Sequence, residues 1–113
     1  MDKAVQTGPV ISAESQARIE GLIETGIREG ATALIDGRRA RIKNYEQGNF
    51  IRPTILEDVP PAGTLSKTEI FGPVLSLMHV ETIDDAIDYV NRQSLGNMAC
   101  LFTQSGSSAR KFR

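Results

Sequence analysis

The feature that most constrains the fold is an alternation of two apolar stretches with an amphipathic helix in the last third of the chain. Residues 74–80 are almost continuously apolar, which is typical of a strand that is covered on both faces. Thr82 can cap a helix, with Asp85 three residues later in the position of a capping box. Residues 98–102 form the second apolar run. Four apolar residues between the runs share one helix face: Ile83, Ala86, Ile87 and Val90.

A strand, a helix and a strand within roughly 30 residues indicate a βαβ unit with parallel strands and a right-handed crossover. The first half of the chain adds a longer helix over residues 13–29, with Ser12 as its N-cap and Gly30 as its stop. Gly21 and Gly26 each cost this helix up to ~1 kcal/mol relative to alanine, so we expect another element to pack closely there.

The segments between these elements complete an α/β pattern with a mainly parallel sheet and flanking helices. Residues 32–35 predict a short strand, and residues 38–48 predict a polar, basic loop. Residues 50–59 are extended, and because Pro53 lacks a ladder donor this stretch is an edge strand or a strand start. Residues 107–113 begin a further helical pattern that the end of the chain cuts short, so we expect a fragment.

Composition narrows the classes of partner. The formal net charge of the 113 residues is −1, which argues against nucleic acid or an anionic membrane, because both require a basic excess. No apolar run approaches the roughly 20 residues of a bilayer span, and residues 1–7 lack the apolar core of a secretory signal. Cys100 is the only cysteine, so no disulfide framework forms within one chain and a reducing, cytoplasmic environment is expected.

The most specific string of the sequence, Lys-Thr-Glu-Ile-Phe-Gly-Pro-Val over residues 67–74, leads into the first buried strand. Loops at strand ends of α/β sheets commonly bind ligands. The Glu69 carboxylate can accept hydrogen bonds from sugar hydroxyls, and the Phe71 ring can pack on a heterocycle. The alternative interpretation is a turn with an exposed acid and a core phenylalanine.

The same string makes the chain resemble the aldehyde dehydrogenase superfamily, of which Glu-Ile-Phe-Gly-Pro-Val is a signature. The resemblance runs from about Gly8 to Phe112, and within the superfamily it is strongest to the coenzyme A-acylating methylmalonate-semialdehyde dehydrogenases. Four further segments carry it: residues 8–12 (Gly-Pro-Val-Ile-Ser), residues 48–55 (Gly-Asn-Phe-Ile-Arg-Pro-Thr-Ile), the stretch from Ala86-Ile87 to Gly96-Asn97, and Leu101-Phe102-Thr103.

The resemblance implies a role for two residues of this chain. The glutamate that matches Glu69 binds the hydroxyls of the nicotinamide ribose of NAD, and the phenylalanine that matches Phe71 packs near the nicotinamide ring. The family's nucleophilic cysteine, its oxyanion-stabilising asparagine and most of its Rossmann domain lie upstream of the segment that matches Gly8, and its assembly segment lies beyond Arg113. Residues 1–113 are thus expected to be a partial catalytic domain that holds no catalytic residue and is inactive alone.

For the parent enzyme the resemblance implies NAD as cofactor, coenzyme A as co-substrate, a small aldehyde as substrate and a homo-oligomer. The location would be the cytoplasm or, in a eukaryote, the mitochondrial matrix. Two alternatives stay open, namely a fragment of a non-acylating aldehyde dehydrogenase and a short interaction module that reuses the fold. Unpaired strand edges and bared apolar faces also predict that this chain forms a dimer or a higher oligomer.

The remaining polar and reactive residues receive structural interpretations. Cys100 lies within an apolar run and is expected to be buried, since free cysteine is among the most buried residue types. His79, the only histidine, makes neither a metal site nor a triad and is expected to be a structural residue at a strand end. The basic cluster is interpreted as a solvated loop or subunit contact, with a coenzyme A phosphate contact as the alternative: Arg38, Arg39, Arg41 and Lys43. The acidic group is interpreted as cap and outer-face charges: Asp84, Asp85 and Asp88.

Overall fold

The computed structural model describes residues 7–113, so most of the polar stretch at residues 1–7 lies outside the described residues. The described chain forms two compact units, an N-terminal unit that ends at Met78 and a C-terminal unit, His79–Arg113. Of the helices described, none combines the length and the apolar character of a bilayer span. The elements in chain order are α1 (Ala13–Arg28), β1 (Thr32–Ile35), β2 (Thr54–Glu57), β3 (Val74–Ser76), α2 (Ile83–Arg92) and α3 (Gly106–Phe112).

Helix α1 begins and ends where its capping residues predict. The Ser12 side chain accepts a hydrogen bond from the Ser15 N–H at 3.1 Å, which satisfies one of the unpaired donors of the first turn. At the other end Gly30 has a φ of +117°, a left-handed conformation that glycine adopts without steric cost. The N–H of Ala31 then donates to the Gly26 carbonyl at 3.0 Å, which closes the last turn.

The three strands form one mixed sheet in the order β1-β2-β3. Strands β1 and β2 pair antiparallel, and strands β2 and β3 pair parallel, with Thr54 opposite Val74. The expectation of a mainly parallel sheet is therefore wrong for the described residues. Pro53 directly precedes β2, which is the central strand, so the strand-start interpretation of this proline is confirmed and the edge interpretation is wrong.

The core of the N-terminal unit lies between α1 and the sheet. Ile19 and Ile23 from α1 are fully buried, as is Leu56 from β2. Gly26 confirms the predicted close packing, since a Cβ there would lie 2.2 Å from Leu65 Cδ1. At Gly21 the same prediction is wrong, because no atom of another element lies within 4 Å of the position of a Cβ. The buried apolar residues of this unit are Ile19, Ile23, Ala31, Ile51, Leu56, Val59 and Leu65.

Helix α2 begins after Thr82 as predicted and α3 begins at Gly106, one residue before the predicted start, and neither helix has a buried residue. Thr82 and Asp85 form the predicted capping box, in which the Thr82 hydroxyl accepts from the Asp85 N–H and the Asp85 carboxylate accepts from the Thr82 N–H at 3.0 Å. Asp84 pairs with Lys111 at 2.5 Å, and Asp88 pairs with Arg92 four residues later. The interpretation of the three aspartates as cap and outer-face charges is confirmed.

The second strand of the predicted βαβ unit is absent from the described residues, so the βαβ prediction is wrong for this structure. Residues 98–102 have no strand pairing, and Met98 and Phe102 are 84% and 95% exposed. Strand β3 is also shorter than residues 74–80, and Leu75 is 53% exposed, so its two faces are not both covered. A strand requires a hydrogen-bonding neighbour, and none pairs with residues 98–102 in the described chain.

Candidate functional site

The candidate site lies on the loop between β2 and β3, residues 58–73, which we call the site loop. Its end is fixed to the sheet, because the Thr54 N–H donates to the Pro73 carbonyl at 2.9 Å. The signature residues therefore lie at the amino end of β3, whereas ligands of open α/β sheets usually bind at the carboxyl ends of strands. The general rule about strand ends therefore does not support this site, and only the local geometry of the loop does.

Helix α1 holds the signature part of the site loop. Arg18 Nη2 donates to the main-chain carbonyl of Ile70 at 2.5 Å, a contact between residues 52 positions apart. Gly72 packs directly on the same helix, because a Cβ at this position would lie 2.7 Å from Ile19 Cδ1. The Ile70 side chain packs against the core of the N-terminal unit. Contacts with α1 thus fix both ends of the segment from Ile70 to Gly72.

Between these two fixed points the backbone of Phe71 is left-handed and its side chain is exposed. The φ of Phe71 is +51°, in a region where a non-glycine residue costs roughly 1–2 kcal/mol. Phe71 is 76% exposed, so the interpretation of Phe71 as a core residue is wrong. Glu69 is exposed as well, while Ile70 between them is half-buried. The loop therefore offers a carboxylate and an aromatic ring to solvent on either side of a residue that anchors it.

The middle of the site loop is held by Glu29, the C-cap residue of α1. The Glu29 carboxylate accepts hydrogen bonds from the Thr64 hydroxyl at 2.5 Å and from the Thr64 N–H at 2.7 Å. These two bonds lower the pKa of the Glu29 carboxyl below its ordinary value of 4.5, in spite of a small opposing effect of burial. Ser66 adds a hydroxyl hydrogen bond to the Pro60 carbonyl within the loop. Sequence reasoning missed both Arg18 and Glu29, since neither belongs to a motif.

The basic cluster does not form an exposed group of four cations. The Arg38 guanidinium pairs with Asp36 at 2.7 Å and also with Glu24 on α1, and its side chain is only 18% exposed. Its hydrogen bonds to Asp36 raise the pKa of Arg38 and lower the pKa of the Asp36 carboxyl. The Arg39 N–H donates to Glu20 at 2.8 Å. The solvated-loop interpretation is thus wrong for Arg38, which ties the loop to α1, whereas the exposure of Arg39, Arg41 and Lys43 agrees with it.

The only cysteine and the only histidine are both exposed. The expectation that Cys100 is buried is wrong, because residues 98–102 do not join a sheet that would cover them. His79 follows β3 and is the first residue of the C-terminal unit, so it lies beyond the strand rather than within it. Among the described residues, no three side chains of the His, Cys, Asp or Glu type lie together as a metal site would require.

Known proteins are similar to this chain over almost its whole length. The model of the aldehyde dehydrogenase family matches residues 1–113. The mitochondrial, acylating methylmalonate-semialdehyde/malonate-semialdehyde dehydrogenase of Mus musculus is 48% identical over 105 residues, 93% of this chain and 20% of that protein. The Homo sapiens protein of the same name is 47% identical over the same shares.

Two solved structures extend the similarity to three dimensions. Methylmalonate-semialdehyde dehydrogenase from Oceanimonas doudoroffii matches with a TM-score of 0.92 at 39% identity. Mycobacterium tuberculosis aldehyde dehydrogenase complexed with NAD+ matches with a TM-score of 0.86 at 37% identity. Each match covers 98% of this chain and 23% of the solved chain.

The chain spans about a fifth of the length of the curated relatives that it matches. Within that share, the match includes the signature string and the α/β elements that carry it. The predicted resemblance and the expectation of a partial α/β domain are confirmed. The chain belongs to the aldehyde dehydrogenase family.

Proposed function

We propose that this chain is a part of the catalytic domain of an NAD-dependent, coenzyme A-acylating methylmalonate- or malonate-semialdehyde dehydrogenase. In that enzyme Glu69 and Phe71 would bind the nicotinamide ribose end of NAD. The names of the curated relatives support the reaction class, and the NAD complex of a solved relative supports the cofactor. No residue of this chain is proposed to be catalytic.

The observation that carries the proposal is the outward, left-handed conformation of Phe71. An exposed ring held on a strained backbone suits a ligand with a flat apolar part, because strain of this kind is usually kept for function. Glu69 is exposed two residues away, and a carboxylate accepts hydrogen bonds from paired ribose hydroxyls. The residues therefore fit a nicotinamide ribose. Bound NAD would serve as the electron acceptor for oxidation of the aldehyde.

A titration with nicotinamide mononucleotide, followed by ¹H–¹⁵N NMR, tests the proposed roles of the two residues. We expect shifts at residues 69–72, and binding about tenfold weaker or worse in Glu69→Gln, because hydrogen bonds to a charged group contribute roughly 1.5–3 kcal/mol. Glu81→Gln, an exposed glutamate of the C-terminal unit, is the matched control and should bind like the wild type. Equal affinity of Glu69→Gln and the wild type would contradict the assignment.

The proposal also states that the chain has no turnover by itself. Cys100 is its only thiol, and the resemblance places the family's nucleophile upstream of Gly8, far from this position. The purified chain with NAD, coenzyme A and methylmalonate semialdehyde should form no NADH above the background. Turnover by the wild type that disappears in Cys100→Ser would show that Cys100 is the nucleophile and would refute the proposal.

We also propose that the chain associates with copies of itself. Several large apolar side chains of the C-terminal unit are exposed, among them Met98 and Phe102, and patches of this kind mark association surfaces. Strands β1 and β3 are the edges of the sheet and can pair with further strands. Light scattering at high concentration should give a dimer or a larger species, and a strictly monomeric chain would count against association.

The cellular location of the protein is part of the same proposal. The curated relatives from the mouse and from humans are named mitochondrial, which supports the mitochondrial matrix for a eukaryotic protein of this class. For a bacterial source we propose the cytoplasm. Immunodetection of the protein in fractionated cells of the source would test this assignment.

A further inference from the structure

We infer that Arg18 is a positioning residue for the nicotinamide-ribose site, an inference that rests on the function proposed above. Arg18 would act through the main chain of the site loop rather than on the ligand. By holding the Ile70 carbonyl it keeps Phe71 in its left-handed conformation, with the ring exposed for the cofactor.

The position of Arg18 is itself fixed by the core. Its neighbour Ile19 is fully buried, so α1 cannot rotate about its axis without exposing that side chain. The guanidinium is therefore presented to the site loop from a rigid helix. Nη2 reaches the Ile70 carbonyl at 2.5 Å, and a hydrogen bond from a charged donor is stronger than one between neutral groups.

The same carbonyl belongs to the peptide that precedes Phe71, so its orientation is coupled to the φ of Phe71. On the far side of Phe71, Gly72 lies against Ile19, and a Cβ at this position would lie 2.7 Å from Ile19 Cδ1, so the Ile19 side chain would have to move. The Val74 N–H donates to the Gly72 carbonyl at 2.8 Å, which fixes the exit of the turn. Arg18 thus supplies a side-chain hydrogen bond to the main chain of this turn, at the carbonyl directly before Phe71.

Loss of Arg18 should release a conformation that Phe71 does not prefer. A left-handed aromatic residue is less populated than its right-handed or extended forms by a factor of about five to thirty. Binding to a ligand that requires the left-handed form weakens by the same factor, because only the competent fraction binds. Arg18→Gln should thus bind nicotinamide mononucleotide about five- to thirtyfold more weakly than the wild type.

The experiment compares three variants of the full 113-residue chain. Arg18→Gln removes the charged donor, and Arg18→Lys keeps a charged donor that can reach one carbonyl. Arg28→Gln is the matched control, because Arg28 lies on the same helix and its side chain donates to Thr25 within α1. The readouts are the melting temperature, the nucleotide affinity and the strong intraresidue amide-to-Hα NOE that a positive φ gives at Phe71.

We expect Arg18→Gln to lose the Phe71 NOE and the affinity while the melting temperature stays within a few degrees of the wild type. Arg18→Lys should restore at least part of both readouts, and Arg28→Gln should behave like the wild type. An Arg18→Gln chain that keeps the NOE would overturn the inference, whatever its stability or affinity.

The two proposals fail in different ways. If the wild type does not bind nicotinamide mononucleotide, the proposed function fails, while loss of the NOE in Arg18→Gln would still support the positioning of the loop. If Arg18→Gln keeps the NOE but loses affinity, Arg18 contacts the ligand itself and the positioning role is wrong, while the proposed site stands.

Discussion

The N-terminal and C-terminal units both contain capped helices, but only the N-terminal unit has a buried core. In the N-terminal unit, the capping signals of α1 are joined to a core in which seven apolar residues of the described chain are buried. In the C-terminal unit, α2 has a complete capping box, yet no residue of His79–Arg113 is buried. Capping is local and starts a helix in either setting, whereas burial requires partners from elsewhere in the fold. Local signals are therefore sufficient for helices and insufficient for a packed domain.

The candidate site lies in the unit that has the buried core. The site loop belongs to the N-terminal unit, where α1 holds it through Arg18, Ile19 and Glu29. A strained backbone such as that of Phe71 persists only where its surroundings over-determine it. The exposed Cys100, in the unit without a core, has no comparable support.

The largest effect should come from removing core volume in the N-terminal unit. Leu56→Ala should lower the free energy of unfolding by about 2–5 kcal/mol, because Leu56 is fully buried and its loss leaves a cavity. Val90→Ala, on the half-exposed face of α2, should change it by less than about 0.5 kcal/mol. Urea titration of both variants measures the contrast, and equal losses would contradict the difference in burial between Leu56 and Val90.

Two glycine-to-alanine substitutions within α1 should change stability by smaller amounts and in opposite directions. Gly26→Ala should destabilise the chain by about 1–3 kcal/mol, because the new methyl group would collide with Leu65. Gly21→Ala should stabilise it by about 0.5–1 kcal/mol, because the position is open and alanine favours a helix. Thermal unfolding should separate the two variants, and a stabilising Gly26→Ala would disprove the close approach of the site loop to α1.

Each helix N-cap should contribute about 1 kcal/mol to stability. Loss of one cap should affect the whole fold, and loss of the other should affect only its own helix. Ser12→Ala should lower the global stability, since α1 packs on the core. Thr82→Ala should loosen α2 without changing the unfolding of the N-terminal unit. Amide hydrogen exchange resolves the two helices, and a loss of protection in α1 upon Thr82→Ala would contradict the expected local effect of the Thr82 cap.

The smallest effect on stability should come from lowering the pH. The pKa of Glu29 is lower in the folded protein than in the unfolded chain, so its contacts with Thr64 contribute stability above the ordinary value of 4.5. That contribution is lost as the pH falls through the lowered pKa. Relative to its intrinsic exchange rate, the Thr64 amide should lose protection in that window, and Glu29→Gln should abolish the pH dependence. An unchanged pH profile in Glu29→Gln would contradict the contact.

Much of this fold was predictable because its signals are local. Ser12, Gly30, Thr82 and Asp85 mark helix ends through contacts within a few residues, and each mark was confirmed. The strand predicted at residues 98–102 was not confirmed, because a strand forms only beside a partner and the partner is not encoded in its own five residues. The predicted burial of Cys100 failed for the same reason.

For the candidate site, the motif was predictable and its support was not. The string around Glu69 and Phe71 has a recognisable residue pattern. The contact from Arg18 joins residues 52 positions apart, and that from Glu29 joins residues 35 positions apart. Pairs so distant in sequence leave no periodicity or spacing that a single sequence would reveal. The positive φ of Phe71 is a consequence of those contacts, so it could not be predicted from the sequence either.

Saturation-transfer difference NMR with NAD tests the central claim most directly, because it reports which part of the dinucleotide lies against the chain. If Glu69 and Phe71 bind the nicotinamide ribose, saturation should reach the nicotinamide and its ribose protons far more than the adenine protons, and Phe71→Ala should remove the difference. Equal transfer to both ends of NAD, or transfer that Phe71→Ala leaves intact, would contradict the account.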